Sequence, residues 1–175
     1  MSLNCVILND SMTSDTSNDS SLPFIPLPGE LVVYRSPDRT SLQITIPHSL
    51  MRRNFLKAVG NVYVTNKRVL MITSALRGGD FQSFNLPYRT ITQSELVTPW
   101  IGPTRWRCSF IVVNPLECGL PLASNQTHHC SLEIVFNEGG FVEFVKEFET
   151  LFIEAGRSAG IEEEDLPAYQ EPDSM

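Results

Sequence analysis

The stretch Gly60-Asn61-Val62-Tyr63-Val64-Thr65-Asn66-Lys67-Arg68-Val69-Leu70-Met71-Ile72 decides the fold class of this chain. β-Branched, aromatic and other apolar residues fill both arms, and the polar trio Thr65-Asn66-Lys67 separates them, so the segment reads as a β-hairpin. Asparagine tolerates left-handed backbone angles and a threonine hydroxyl bonds the local backbone. Three residues therefore suffice for the reversal.

Outward from the hairpin, period-two alternation or short β-branched runs broken by turn residues continue from Ser41 to His129. Strands are expected at residues 30–34, 41–46, 60–64, 69–73, 81–85, 91–97, 105–113 and 130–136. Arg77-Gly78-Gly79-Asp80 reads as a tight reversal between two of them. Trp100 and Trp106 flank another loop, where their indoles either cover an edge of the core or, if exposed, meet a partner or a membrane. After Gly139-Gly140 the period changes. Phe141, Phe144, Val145, Phe148, Leu151, Phe152 and Ala155 recur at spacings of three and four, which predicts an amphipathic helix of about four turns ending near Gly156 or Gly160. Burial of each such side chain is worth roughly 1.5–3 kcal/mol, so the stripe implies a helix docked on the sheet. The expectation is an α+β domain of seven or eight antiparallel strands, bent and capped by one C-terminal helix.

The chain has 175 residues and a formal charge of −7, unevenly spread. Residues 1–34 carry −4, residues 35–107 carry +8 and residues 108–175 carry −11. The acidic total argues against binding that works by neutralising many phosphates, so no sequence-specific nucleic-acid binding is expected. The N-terminus lacks the basic and apolar regions of a secretory signal, and no apolar run approaches the ~18 residues that span a bilayer. Cys5, Cys108, Cys118 and Cys130 are irregularly spaced and do not read as a disulfide scaffold. Residues 9–21 hold one apolar residue in thirteen. They read as disordered, because they cannot bury enough surface to offset their ordering entropy. The expected organisation is a disordered arm at residues 1–25, a domain at 26–156 and an acidic disordered tail at 157–175.

The segment from Gly60 to Val69 resembles the GRAM motif, which runs roughly Gly-x-hydrophobic-Tyr-hydrophobic-Thr-x-x-Arg-hydrophobic. Ser83-Phe84-Asn85-Leu86-Pro87-Tyr88, then Glu95, Pro99 and Gly102, then Leu132 to Phe144 extend the likeness. In this order and spacing they resemble the WW-domain-binding protein 2 family over about residues 26–150. The resemblance implies a pleckstrin-homology-like fold, no catalysis, no cofactor, and adaptor or transcriptional coactivator work in cytoplasm and nucleus through WW-domain partners. A HECT-type ubiquitin ligase and a WW-containing coactivator are the partners it points to. Animal members carry a long proline-rich tail with Pro-Pro-x-Tyr motifs. Here the acidic stretch Glu162-Glu163-Glu164-Asp165 leads instead into Leu166-Pro167-Ala168-Tyr169.

Leu-Pro-x-Tyr is the accepted variant of that ligand. Pro167 pre-sets an extended backbone for an aromatic WW groove, and Tyr169 offers a ring and a hydroxyl to a second pocket. The competing reading has Leu166 and Tyr169 packing back onto the domain. For the basic middle, a cationic mouth for phosphoinositide headgroups would gather Arg52, Arg53, Lys57, Lys67 and Arg68. The alternative is that these bases pair with the acids of the C-terminal third. His128-His129-Cys130, with Cys118 upstream, lacks the short paired spacing of a zinc site, and adjacent strand residues point to opposite faces, so no metal is expected. No nucleophile elbow, glycine-rich phosphate loop or His-Glu-x-x-His is present.

Overall fold

The computed structural model describes residues 2–8, 22–47, 49–113, 115–122 and 127–162. In chain order its elements are β1 (Ser2–Leu3), β2 (Val32–Arg35), β3 (Thr40–Thr45), β4 (Phe55–Thr65), β5 (Arg68–Thr73), β6 (Ser83–Pro87), a 3-10 turn (Tyr88–Thr90), β7 (Ile91–Val97), β8 (Arg105–Val112), a one-turn helix α1 (Pro115–Cys118), β9 (His128–Phe136) and α2 (Phe141–Glu162). The nine strands form one antiparallel sheet in the order β1-β6-β5-β4-β3-β9-β8-β7, with β2 also pairing β4. With the C-terminal helix α2 this is an α+β arrangement. Among the described residues no helix is long and apolar enough to cross a membrane.

β4 serves two sets of partners. Residues 55–60 pair with β3, and residues 60–64 pair with β5 while Tyr63, Val64 and Thr65 face β2 on the other edge. Gly60 sits where the partners change. A Cβ there would lie 2.1 Å from the carbonyl oxygen of Ile72 and 2.8 Å from the amide nitrogen of Ser74, so no other residue fits. The strand expected to begin at this glycine therefore begins five residues earlier, at Phe55. Nearby, Asp80 in the reversal after β5 docks on the first half of β4, its amide donating to Lys57 and its carboxylate accepting from the Lys57 amide.

The hairpin forms in the expected register, with Val64 opposite Val69 and Tyr63 opposite Leu70. Its loop is tighter than expected, only Asn66 and Lys67, and Asn66 does not adopt left-handed angles. Side chains hold the turn instead. Thr65 Oγ1 accepts from the amides of Lys67 and Arg68, and Asn66 accepts from the Leu31 amide and donates to the Gly29 carbonyl.

α2 docks as its apolar stripe predicts. Phe144 and Phe148 are fully buried and clasp Trp106, with ring centroids 5.1 and 4.7 Å away. Tyr34, Phe136, Phe141 and Phe152 extend the same aromatic layer. Gly139 and Gly140, both at positive φ, make the turn into the helix. The Tyr34 hydroxyl donates to the Gly140 carbonyl at 2.8 Å, and burial, with the nearby Glu143 charge, pushes this phenol up to about 12.

The folded body reaches further toward the N-terminus than residue 26. β1 pairs with β6, and Val6 and Phe24 are buried against Tyr63, Leu70 and Ile72 in a second apolar cluster. The cause lies in the hairpin. β5 is buried along nearly its whole length, so its outer face also needs an apolar cover. Residues 2–8 and 22–25 provide it; residues 9–21, expected to be disordered, lie outside the described residues.

Candidate interaction surfaces

The polar positions Thr65 and Arg68 of the hairpin are joined in one buried network. Arg68 Nε and Nη2 donate to the two Glu30 carboxylate oxygens at 2.7 and 2.8 Å. Thr65 Oγ1 donates to Glu30 Oε1 at 2.9 Å, and the Leu27 amide donates to Glu30 Oε2 at 2.7 Å. Tyr88, from the 3-10 turn, donates its hydroxyl to the Thr65 carbonyl at 2.6 Å. Burial pushes the Glu30 carboxyl up, but the hydrogen bonds from Arg68, Leu27 and Thr65 and the Arg68 charge together outweigh it, so this acid titrates below its ordinary value. The network ties the segment before β2 to the β4–β5 hairpin and the hairpin to the turn beneath α2.

This removes Arg68 from the cationic group expected of it, because its guanidinium is buried and held by both oxygens of Glu30. Lys67, exposed at the loop, donates to the Pro28 carbonyl. Lys57 lies toward the other end of β4, eight residues before Thr65 and so roughly 26 Å away along the strand. The five bases expected in one mouth are therefore separated. Those that do gather are Arg53 and Lys57 about the Phe55 ring, at 6.0 and 5.0 Å, with Arg52 next in sequence. Arg53 also reaches Asp80 at 3.1 Å. Directly before these bases, Leu50 and Met51 are 71% and 48% exposed.

The two tryptophans part company: Trp106 is 2% exposed in the core and Trp100 is 99% exposed at the tip of the β7–β8 hairpin, beside exposed Ile101. His128 is buried and His129 exposed, as adjacent strand positions require. Among the described residues no three His, Cys, Asp or Glu side chains gather as metal ligands. Burial pushes the Cys130 thiol up to about 11, with Cys118 adding to the shift, and pushes Cys108 higher still. Neither is a ready nucleophile.

Two features escaped the sequence reading. Glu30 reads in the sequence only as the start of a strand, and Asp38 lies nearer the hairpin; the partner of Glu30, Arg68, lies 38 residues on. The second is a cleft of about 420 Å³ between the Tyr88–Thr90 turn and α2, lined by Tyr88, Ile91, Phe152 and Ala155 with Arg89 and Ile153 at its rim. The Phe152 and Ala155 positions were legible as a helical stripe, but the gap beside them was not. The WW-ligand residues Leu166, Pro167 and Tyr169 lie outside the described residues.

No family model matches the chain, and no curated protein matches it. Among solved structures, a chain of "The 8S snRNP Assembly Intermediate" aligns over 82% of this chain and 90% of that chain, at 11% identity and a TM-score of 0.40. A similarity this slight bears on neither fold family nor function.

Proposed function

We propose that this protein is a non-catalytic adaptor, a pleckstrin-homology-like GRAM domain of the kind found in the WW-domain-binding protein 2 family, whose Leu166, Pro167 and Tyr169 are a ligand for WW domains. The observation that carries the reading is how the hairpin-motif residues are used. Thr65 and Arg68 bond Glu30 and one another, and Gly60 admits the crossing of strands, so the motif builds a scaffold and leaves no open polar site of its own. The chemistry for recognition then falls to the segment after α2, where Leu166 follows the last described helical residue, Glu162, by four positions. On this reading the partners are WW-domain proteins of cytoplasm and nucleus, a HECT-type ubiquitin ligase or a WW-containing transcriptional coactivator, and coactivation is the downstream role. A peptide of residues 160–175 should bind WW domains with micromolar affinity, and Tyr169→Ala in the full chain should abolish capture of them. Equal capture by the wild type and the variant across a panel of WW domains would refute the adaptor reading.

A second reading, a module for anionic membrane surfaces, is favoured by one observation: exposed Leu50 and Met51 adjoin Arg52, Arg53 and Lys57. An apolar tip beside three cations combines the two contributions that hold peripheral proteins on phosphoinositide-bearing lipid. Sedimentation with such vesicles should weaken as salt rises, and the combined Arg52→Glu, Arg53→Glu and Lys57→Glu variant should lose it. Unchanged sedimentation of that variant removes this reading.

A further inference from the structure

The cleft between the Tyr88–Thr90 turn and α2 is an apolar recess that no described segment fills. Its floor is Tyr88, Ile91, Phe152 and Ala155, its volume of about 420 Å³ is in the range of sites that hold small ligands or a pair of side chains, and Ile153 at its lip is 54% exposed. Arg89, also at the rim, has no ion-pair partner among the described residues. The recess therefore offers an apolar floor beside one cation that no described residue pairs with.

One segment of this chain matches it in reach, charge and chemistry. α2 continues to Glu162, six residues or about 9 Å past Gly156 and ten residues or about 15 Å past Phe152. A chain that reverses after Glu162 covers up to ~3.3 Å per residue, so Leu166 reaches back about 13 Å and Tyr169 about 23 Å. The first distance reaches the Gly156 side of the cleft and the second spans its whole length to Phe152. Glu163, Glu164 and Asp165, which lead into them, carry the charge that complements Arg89.

We infer that this cleft is the resting dock of the chain's own Leu166-Pro167-Ala168-Tyr169 segment. The regulatory part of this inference rests on the adaptor reading: the residues that would enter a WW domain are held on the domain that carries them, and a WW partner must compete for them. Binding of the full chain is then weaker than that of the free segment by the population factor of the undocked form.

The test uses the full chain with isoleucine-methyl NMR, reading Ile91 and Ile153, and measures its binding to a WW domain that captures the peptide of residues 160–175. The dock predicts that Leu166→Asp with Tyr169→Asp shifts both methyl signals, because a tyrosine ring leaves them. It also predicts that wild type binds the WW domain about tenfold more weakly than the peptide, and that Arg89→Glu with Ile153→Asp, both surface changes, restores peptide-like affinity. Methyl signals that are identical with and without the double substitution overturn the dock, even if the peptide binds WW domains. Shifts that vary with protein concentration also overturn it, since they assign the cleft to a second copy. Shifts in the single chain together with a peptide that binds no WW domain uphold the dock and refute the adaptor reading instead.

Discussion

The two ends of β4 carry similar sequence chemistry and put it to opposite uses. At the hairpin end Arg68 is buried, bidentate on Glu30, with Thr65 and the Leu27 amide completing the acid's hydrogen bonds. At the other end Arg52, Arg53 and Lys57 stay in solvent, one over-reaching to Asp80 and two about a phenylalanine ring. The difference lies in what the neighbouring chain brings. Where the segment from Leu27 to Val32 wraps the hairpin it supplies a carboxylate and excludes water, and the cation becomes part of the framework. At the other end the Asp80 reversal also supplies a carboxylate but leaves the pair in solvent, and the cations remain available to bind something else.

The contrast is broken most forcefully at Arg68. Arg68→Ala leaves Glu30 charged and without its counter-ion in a buried site, a change that costs about 3–5 kcal/mol in comparable buried pairs. Against the 5–15 kcal/mol that holds an ordinary domain together, this is a large share. Denaturant unfolding should show a much lower midpoint at an unchanged slope. If Arg68→Ala unfolds no more easily than Arg52→Ala, the buried network does not hold the hairpin and the two ends of β4 are equivalent.

Acid sharpens the same comparison with a smaller effect, since only part of the network's free energy titrates. Glu30 in the folded protein titrates below its ordinary value of 4.5, so the unfolded chain takes up the proton first as pH falls. Its contribution is fully present above that ordinary value and drains away as pH descends through the lower, folded one. Glu30→Gln should be less stable than wild type at neutral pH and should show a flatter loss below about pH 4.5. Parallel acid limbs in the two proteins would place the titrating group elsewhere.

Which of these features could be read from residues alone follows from their range. The strands on either side of the hairpin and the stripe of α2 show themselves in local periods, because a buried face repeats every two or every 3.6 residues. Gly60 misled because a glycine usually ends a strand, and the close approach of Ile72 that requires it here is a contact across twelve residues. The unbroken apolar run Val69 to Ile72 does signal burial on both faces, but nothing local says that Val6 and Phe24 cover the second face. Linear charge likewise counted Arg68 with Lys57, since a salt bridge to an acid 38 residues away leaves no periodic trace. The ligand motif is the reverse case. Leu166, Pro167 and Tyr169 are legible because a short extended peptide carries its recognition in consecutive residues and needs no fold to assemble it.

The smallest effect belongs to the open end of β4 and is informative for that reason. Reversing Arg52, Arg53 and Lys57 to glutamate removes one exposed pair with Asp80 and two contacts with the Phe55 ring, none of them shielded from solvent. Exposed pairs contribute about 0–1 kcal/mol, and the Lys57 amide that anchors Asp80 is untouched by the change of side chain. The unfolding midpoint should therefore move by only about 2–4 °C, the shift that ~1 kcal/mol produces in a domain of this size. A loss as large as that of Arg68→Ala would mean that these cations, too, are framework, and would leave the domain without a free basic face to offer a membrane.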